Sequence, residues 1–254
     1  MTGSLAVVGL GPGHPEQITP EASRVVAACR DFFGYGPYLD RLRLGPGQIR
    51  NASDNREELD RARAALEKAA AGAAVCIVSG GDPGVFAMAA AVCEAIEAGP
   101  PAWRSLELTV VPGVTAVLAV AARVGAPLGH DFCVLSLSDN LKPWEVIEQR
   151  LEAAARAGFV IALYNPVSRA RPWQLGRALA LLTTLLPAST PVVFGRAAGR
   201  PDERIAVARL DRADAGLADM ATCVVVGSPE TRLIEREGRP PLVYSPRFYA
   251  GAGR

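Results

Sequence analysis

The chain has 254 residues, half of them apolar, and a formal net charge of +1. That length suits one large domain or two of roughly 110–130 residues. Near-neutrality removes the bulk field that draws nucleic acid or an anionic membrane surface, so any charged partner is held by local clusters. Five cysteines, at 29, 76, 93, 133 and 223, form no C-x-x-C pair, and the two histidines, His14 and His130, stand far apart. The expectation is buried, reduced thiols and no metal site. The opening MTGSLAVVGL has no basic region ahead of its apolar run, and no apolar stretch approaches membrane-spanning length, so neither a signal peptide nor a membrane span is expected and the cytoplasm is the default location.

In chain order, residues 4–11 (SLAVVGLG) are a short apolar run closed by glycine, a first strand. Residues 19–30 carry a Thr cap, Pro in the first turn and Glu after it, the marks of a helix. DFFGYG (31–36) reads as a second strand. Residues 53–72 (SDNREELDRARAALEKAAAG) read as one helix, with Asp54 and Glu57 as a capping-box-like pair and Gly72 as its stop. AAVCIVSGG (73–81) is a strand, 85–99 an Ala-rich buried helix, SLELTVVPG (105–113) a strand and 114–125 a helix. Gly and Pro cluster at GAPLGHD (125–131), and a second alternation follows: strand 132–138, helix 143–158, strand 159–165, helix 172–186, strand 190–197, and a late strand and turn over 221–234. Strands alternating with helices argue parallel α/β layers. The fold class is α/β with two α/β domains, 1–122 and 123–254. SDN occurs at 53–55 and again at 138–140, each time before a charged helix and a strand that runs into a Pro turn. Internal duplication and the ordinary repetition of α/β halves both give that order.

Three loops carry the chemistry. VVGLGPGHP begins like a dinucleotide fingerprint, but its third position is His14, and Pro12 lacks the N–H that a pyrophosphate needs. Both departures argue against a dinucleotide site, while the glycines still allow close backbone approach. SGGDPGVF (79–86) ends another strand: Gly80 and Gly81 remove side-chain bulk, Asp82 can hold a hydroxyl or amine or cap the next helix, and Pro83 suits a first helical turn. VPGVTA (111–116) is the third, with Thr115 as a hydroxyl donor. Each alone is also an ordinary capped turn; three at the carboxyl ends of strands point to one ligand crevice. Arginines gather in NPVSRARP (Arg169, Arg171) and FGRAAGRPDER (Arg196, Arg200, Arg204), either as solvated loops or as forked grips on a carboxylate-rich ligand. Trp144, Trp173 and Tyr164 nearby read as core packing. No G-x-S-x-G and no neighbouring Cys-His pair is present, so positioning of two bound molecules is the simplest chemistry.

VGLGPGHPEQITPEA, FGYGPYLDRL, SDNREELDRARAAL, SGGDPGVFAMAAAV, VVPGVTA, ALYNPVSRARPWQL and FGRAAGRPDE together resemble the tetrapyrrole methylases, through about residues 5–249. The resemblance implies two α/β domains with S-adenosyl-L-methionine in the cleft between them, a homodimer, and methylation of a ring carbon in a tetrapyrrole of cobalamin biosynthesis. It implies cofactor contacts at Pro12, Gly80, Gly81, Asp82, Val85, Thr115 and Ala116, then Asn165 and Ala198 from the second domain. Tyr35, Asp54 and Asn55 become substrate-side candidates, and Arg171 and Arg196 carboxylate clamps. SDNREELDRA tilts the reading to a metal-free macrocycle over a cobalt-containing one, and a non-catalytic tetrapyrrole carrier stays open. Members acting on uroporphyrinogen carry an acid after the second strand. Here Gly36 stands there and Asp40 comes several residues late, so no catalytic acid or base is carried over.

Overall fold

Alternation with period two builds the first sheet. In β1 (Ser4–Gly9), Leu5 and Val7 face one way and Ala6 and Val8 the other, and all four are buried. The following elements are α1 (Pro20–Ala28), β2 (Asp31–Tyr35), the one-turn α2 (Gly36–Leu39), β3 (Ile49–Ser53), α3 (Glu58–Ala70), β4 (Ala74–Ser79), α4 (Met88–Ala98) and β5 (Glu107–Val111). The five strands pair in the order β3-β2-β4-β1-β5, every pairing parallel. Leu5, Val7, Phe33, Val75 and Ile77 pack under α3 and α4; Ala6, Val8, Phe32, Cys76 and Val78 pack under α1 and α2. Helices on both faces make the strands near-continuous apolar runs, as burial on two sides requires. The structure is a computed structural model, and it describes residues 3–168 and 170–248. Contacts divide the chain into two compact units, Met1–Thr115 and Ala116–Arg254.

The second unit opens with α5 (Ala116–Val124) and the two-residue β6 (Gly125–Ala126), followed by β7 (Phe132–Ser136), α6 (Trp144–Arg156), β8 (Val160–Tyr164), α7 (Gln174–Thr183), β9 (Pro191–Arg196), β10 (Arg204–Arg209), β11 (Thr222–Val226), β12 (Arg232–Arg236) and β13 (Arg239–Tyr244). Its main sheet runs β10-β9-β11-β8-β7. Here the all-parallel expectation fails. β7 and β8 are parallel, but β11 is antiparallel to both β8 and β9, and β10 is antiparallel to β9. The physical reason is connection length: α6 bridges β7 to β8, whereas no helix of a full crossover's length separates β9, β10 and β11, so these chains double back. A small sheet, β12-β13-β6, completes the unit.

Several local expectations also shift. The helix read over 53–72 starts only at Glu58, because Ser53 is the last residue of β3, a strand too polar and exposed to read from its pattern. Glu57 accepts from the Asp54 N–H at 2.9 Å, but the Asp54 carboxylate turns to the Asn55 N–H at 2.8 Å, so only half of the capping box forms. Gly72, at φ +94°, ends the helix as expected. Pro83 does not enter a helix, since α4 begins at Met88. The helix over 114–125, which the expected boundary at 122 cuts near its end, falls in the second unit as α5. A Cβ on Gly195 of β9 would stand 2.2 Å from the Val120 side chain, so that helix lies directly on this sheet. Among the thiols, all free, Cys93 is exposed and Cys133 half-buried, contrary to a uniformly buried set; burial pushes Cys223 up to about 12.

Candidate active site

β4, β1 and β5 are adjacent and parallel, so the loops after them meet at one end of the first sheet. They interlock through their backbones. Leu10 N–H donates to Ser79 O at 2.9 Å, Gly11 N–H to Gly81 O at 3.1 Å, and Gly81 N–H returns to Gly11 O at 2.9 Å. The Asp82 carboxylate accepts from Gly84 N–H at 2.8 Å with one oxygen and from Gly113 N–H at 3.0 Å with the other. Asp82 thus ties the second loop to the third. Pro12 is buried, and Val85, Thr115 and Ala116 are half-buried around this knot. Tyr35 ends β2 and Asp54 and Asn55 follow β3, so the first unit brings all its candidate residues to the same sheet end.

The two bare glycines of SGGDPGVF have different causes. A Cβ on Gly80 would lie 2.7 Å from Tyr38 ring carbons, so the chain's own tyrosine occupies that space. Gly81 has φ +68°, where an L side chain is strained, and the nearest atoms to a Cβ there, Thr115 Cα and Val114 O, are 3.9 Å away. At Gly81 a Cβ would make only ordinary van der Waals contact, so the backbone conformation and not crowding calls for glycine there. Phe86, at the end of the loop, is held at φ +53° with its ring half-exposed, a costly conformation for a bulky residue and one that concentrates at ligand sites.

In the second unit, Asn165 follows β8 at φ +51° and donates to Ser136 Oγ at 2.9 Å; Ala198 is buried beside Ala197, also at φ +51°. The two predicted clamps grip carboxylates of this chain. Arg171 donates to Asp139 at 2.5 Å and also bonds Asn140, which brings the second SDN loop against RARP. Arg196 reaches Asp219 and Asp202, both at 2.7 Å. The hydrogen bond from Arg196 holds the Asp202 carboxyl below its usual range. Arg169 lies outside the described residues. Trp144 is buried as expected, but Trp173 is 40% exposed and stacks edge-on against it with ring centroids 4.7 Å apart. Tyr164 is half-buried, its hydroxyl accepting from Val117 N–H at 2.9 Å.

Sequence reasoning missed two arginines. Arg61 is 5% exposed and donates to Ser53 Oγ and Asp54 O, both at 2.6 Å, fixing the end of β3; burial lowers its pKa. The signal was present, for Arg61 shares the α3 stripe of Ala62, Ala65, Leu66 and Ala69. Arg41 donates to three carbonyls of the first loop, and nothing local announces it. Asp40, the late acid, pairs with Arg50 at 2.7 Å. A groove of 670 Å³ lined by Ile18, Cys29, Arg30, Arg43 and Gln48 sits at the amino ends of β2 and β3, and none of the candidate residues lines it.

A doubly wound parallel sheet with three interlocked glycine loops at its carboxyl ends defines an α/β protein that binds a small ligand through backbone. The model of the Tetrapyrrole (Corrin/Porphyrin) Methylases matches residues 4–214, and the chain belongs to that family, a family of S-adenosylmethionine-dependent methyltransferases. It is 72% identical to the precorrin-3B C(17)-methyltransferase of a Sinorhizobium species over the whole of both chains. It is 39% identical to the probable cobalt-factor III C(17)-methyltransferase of Salmonella typhimurium, over 96% of this chain and 99% of that one. Among solved structures, that of the methyltransferase CobJ superposes with a TM-score of 0.91 at 48% identity, covering 96% of this chain and all of that one. The uroporphyrin-III C-methyl transferase of Thermus thermophilus, complexed with S-adenosyl homocysteine, gives a TM-score of 0.66 at 25% identity over 89% of this chain and 97% of that one. Among the described residues no helix is long and apolar enough to cross a membrane.

Proposed function

We propose that this chain transfers the methyl group of S-adenosyl-L-methionine to C17 of precorrin-3B, with contraction of the macrocycle to precorrin-4, in cobalamin biosynthesis. The observation that carries the reading is the 72% identity to the Sinorhizobium enzyme along the full length of both chains. The cofactor contacts in this reading are Pro12, Gly80, Gly81, Asp82, Val85 and Thr115 in the first unit, with Ala116, Asn165 and Ala198 in the second. The first unit's residues fit such a ligand. The bare Gly81 backbone, where even a Cβ would meet nothing closer than 3.9 Å, allows close approach, and the Asp82 oxygens, each taking one N–H, keep lone pairs for a hydroxyl or amine.

When bound, S-adenosyl-L-methionine supplies a methyl group already activated on sulfonium, and S-adenosyl-L-homocysteine leaves. The protein's task is then to hold an electron-rich ring carbon in line with that methyl, a matter of positioning rather than of a strong side-chain nucleophile. Tyr35, Asp54 and Asn55 are the substrate-side groups of the first unit. Arg171 and Arg196 act as clamps only by exchanging Asp139, Asp202 or Asp219 for a substrate carboxylate. The reading includes a homodimer, as the family resemblance implies, with the cytoplasm as its default location.

A second reading, the same methylation on cobalt-factor III, is favoured by the Salmonella relative, which matches along nearly its whole length. One incubation separates the two: methyl-labelled S-adenosyl-L-methionine with precorrin-3B or with cobalt-factor III. Label is expected in the precorrin-3B product. Label only in the cobalt form selects the second reading, and tight pigment binding without label in either removes the enzyme reading.

A further inference from the structure

The segment between β2 and β3 supplies none of the cofactor contacts named above, yet it touches two of the three glycine loops that do. Arg41, just past α2, donates through Nη1 to Gly11 O at 2.8 Å and through Nη2 to Leu10 O at 2.5 Å and Gly13 O at 3.5 Å. Carbonyls from three of the four residues 10–13 converge on one planar cation. The fourth residue is Pro12, which has no backbone N–H. Three residues before Arg41, the Tyr38 ring fills the space beside Gly80, while its neighbour Gly81 exchanges two hydrogen bonds with Gly11.

We propose that Arg41 is a positioning residue for the cofactor: its guanidinium holds loop 10–13 in one shape, and Tyr38 from the same segment fixes Gly80 beside it. This rests on the reading that Pro12, Gly80 and Gly81 lie against S-adenosyl-L-methionine. The argument is geometric. Backbone sites bind well only when their groups are already in place; the N–H groups of Leu10 and Gly11 tie the loop to the second one, and Arg41 adds a grip on the carbonyls of Leu10, Gly11 and Gly13. A planar fork reaches carbonyls on two of its nitrogens at once, whereas an ammonium is a compact point donor that cannot reproduce that spacing.

Arg41→Lys keeps the charge and loses the fork, which makes it the test, with Arg41→Gln as a second variant should the first fold poorly. Titration calorimetry with S-adenosyl-L-homocysteine, steady-state kinetics and thermal unfolding are measured on the natural protein, both variants and Arg63→Lys, a control on the exposed face of α3. The expected result is about a tenfold rise in both the Kd for S-adenosyl-L-homocysteine and the KM for S-adenosyl-L-methionine. The kcat should stay within about twofold and Arg63→Lys should change nothing. A folded Arg41→Lys protein with native Kd, even one with a lowered Tm, overturns the inference and leaves the proposed function standing. Failure of the natural protein to bind S-adenosyl-L-homocysteine overturns the proposed function first.

Discussion

At the scale of single residues, Gly80 shows how a bare position can owe its missing side chain to another part of the same chain. Two adjacent glycines after a strand suggest one common cause, yet Tyr38, more than forty positions away in sequence, fills the place of a Gly80 side chain, while at Gly81 a Cβ would meet nothing closer than 3.9 Å. Gly80→Ala should therefore cost roughly 1–3 kcal/mol of stability through overpacking. In a Tyr38→Ala background the cost should fall below about 0.5 kcal/mol. Urea unfolding of the four proteins in that cycle measures it, and an equal cost in both backgrounds would remove the ring as the cause. The arginines teach the same lesson. A run such as NPVSRARP reveals available cations, but whether a cation is free or already gripping Asp139 depends on a loop thirty positions away.

Elements were legible where apolar periodicity ran uninterrupted, as in β1, β4, β8, α4 and α6. The polar edge strands β3 and β10 were not, since half-exposed residues leave no clean pattern. The hairpin of β9 and β10 is tied to α5 by Arg123, whose Nε lies 2.8 Å from Glu203 at the end of the connecting loop; Glu203 also accepts from Gly199 N–H at 2.5 Å. The Arg123 hydrogen bond, against an opposing effect of burial, holds the Glu203 carboxyl below its usual range. A depressed folded-state pKa stabilises above the unfolded value, about 4.3, and that contribution is lost as pH falls through the folded value. Glu203→Gln should thus cost about 1 kcal/mol or less at pH 7, the pair being partly solvated. The difference from the natural protein should close progressively below about pH 4.3. Unfolding curves from pH 7 down to pH 3 test this, and a pH-independent gap would mean that the ion pair is not its source.

For the whole molecule, the decisive element is α5. Its sequence continues the rhythm of the first half, but Val117, Ala119, Val120, Ala121 and Val124 are buried in the second unit. A fragment spanning residues 116–254 should unfold cooperatively. One starting at 125 should lose roughly 3–6 kcal/mol and bind a hydrophobic dye, because an apolar sheet face is laid open. Equal stability of the two would place α5 elsewhere. The sequence by itself determined the alternation of strands and helices, the three glycine loops and the family they belong to, because periodicity, turn chemistry and motif spacing are local properties of the chain. Only the tertiary structure decided that β10 and β11 run antiparallel to β9, that Tyr38 stands against Gly80 and Arg41 binds carbonyls of the first glycine loop, and that Arg171 and Arg196 already hold carboxylates. Strand direction, the filling of a glycine's missing side chain and the pairing of a charge each depend on what another part of the chain brings within a few ångströms, and no local pattern encodes that.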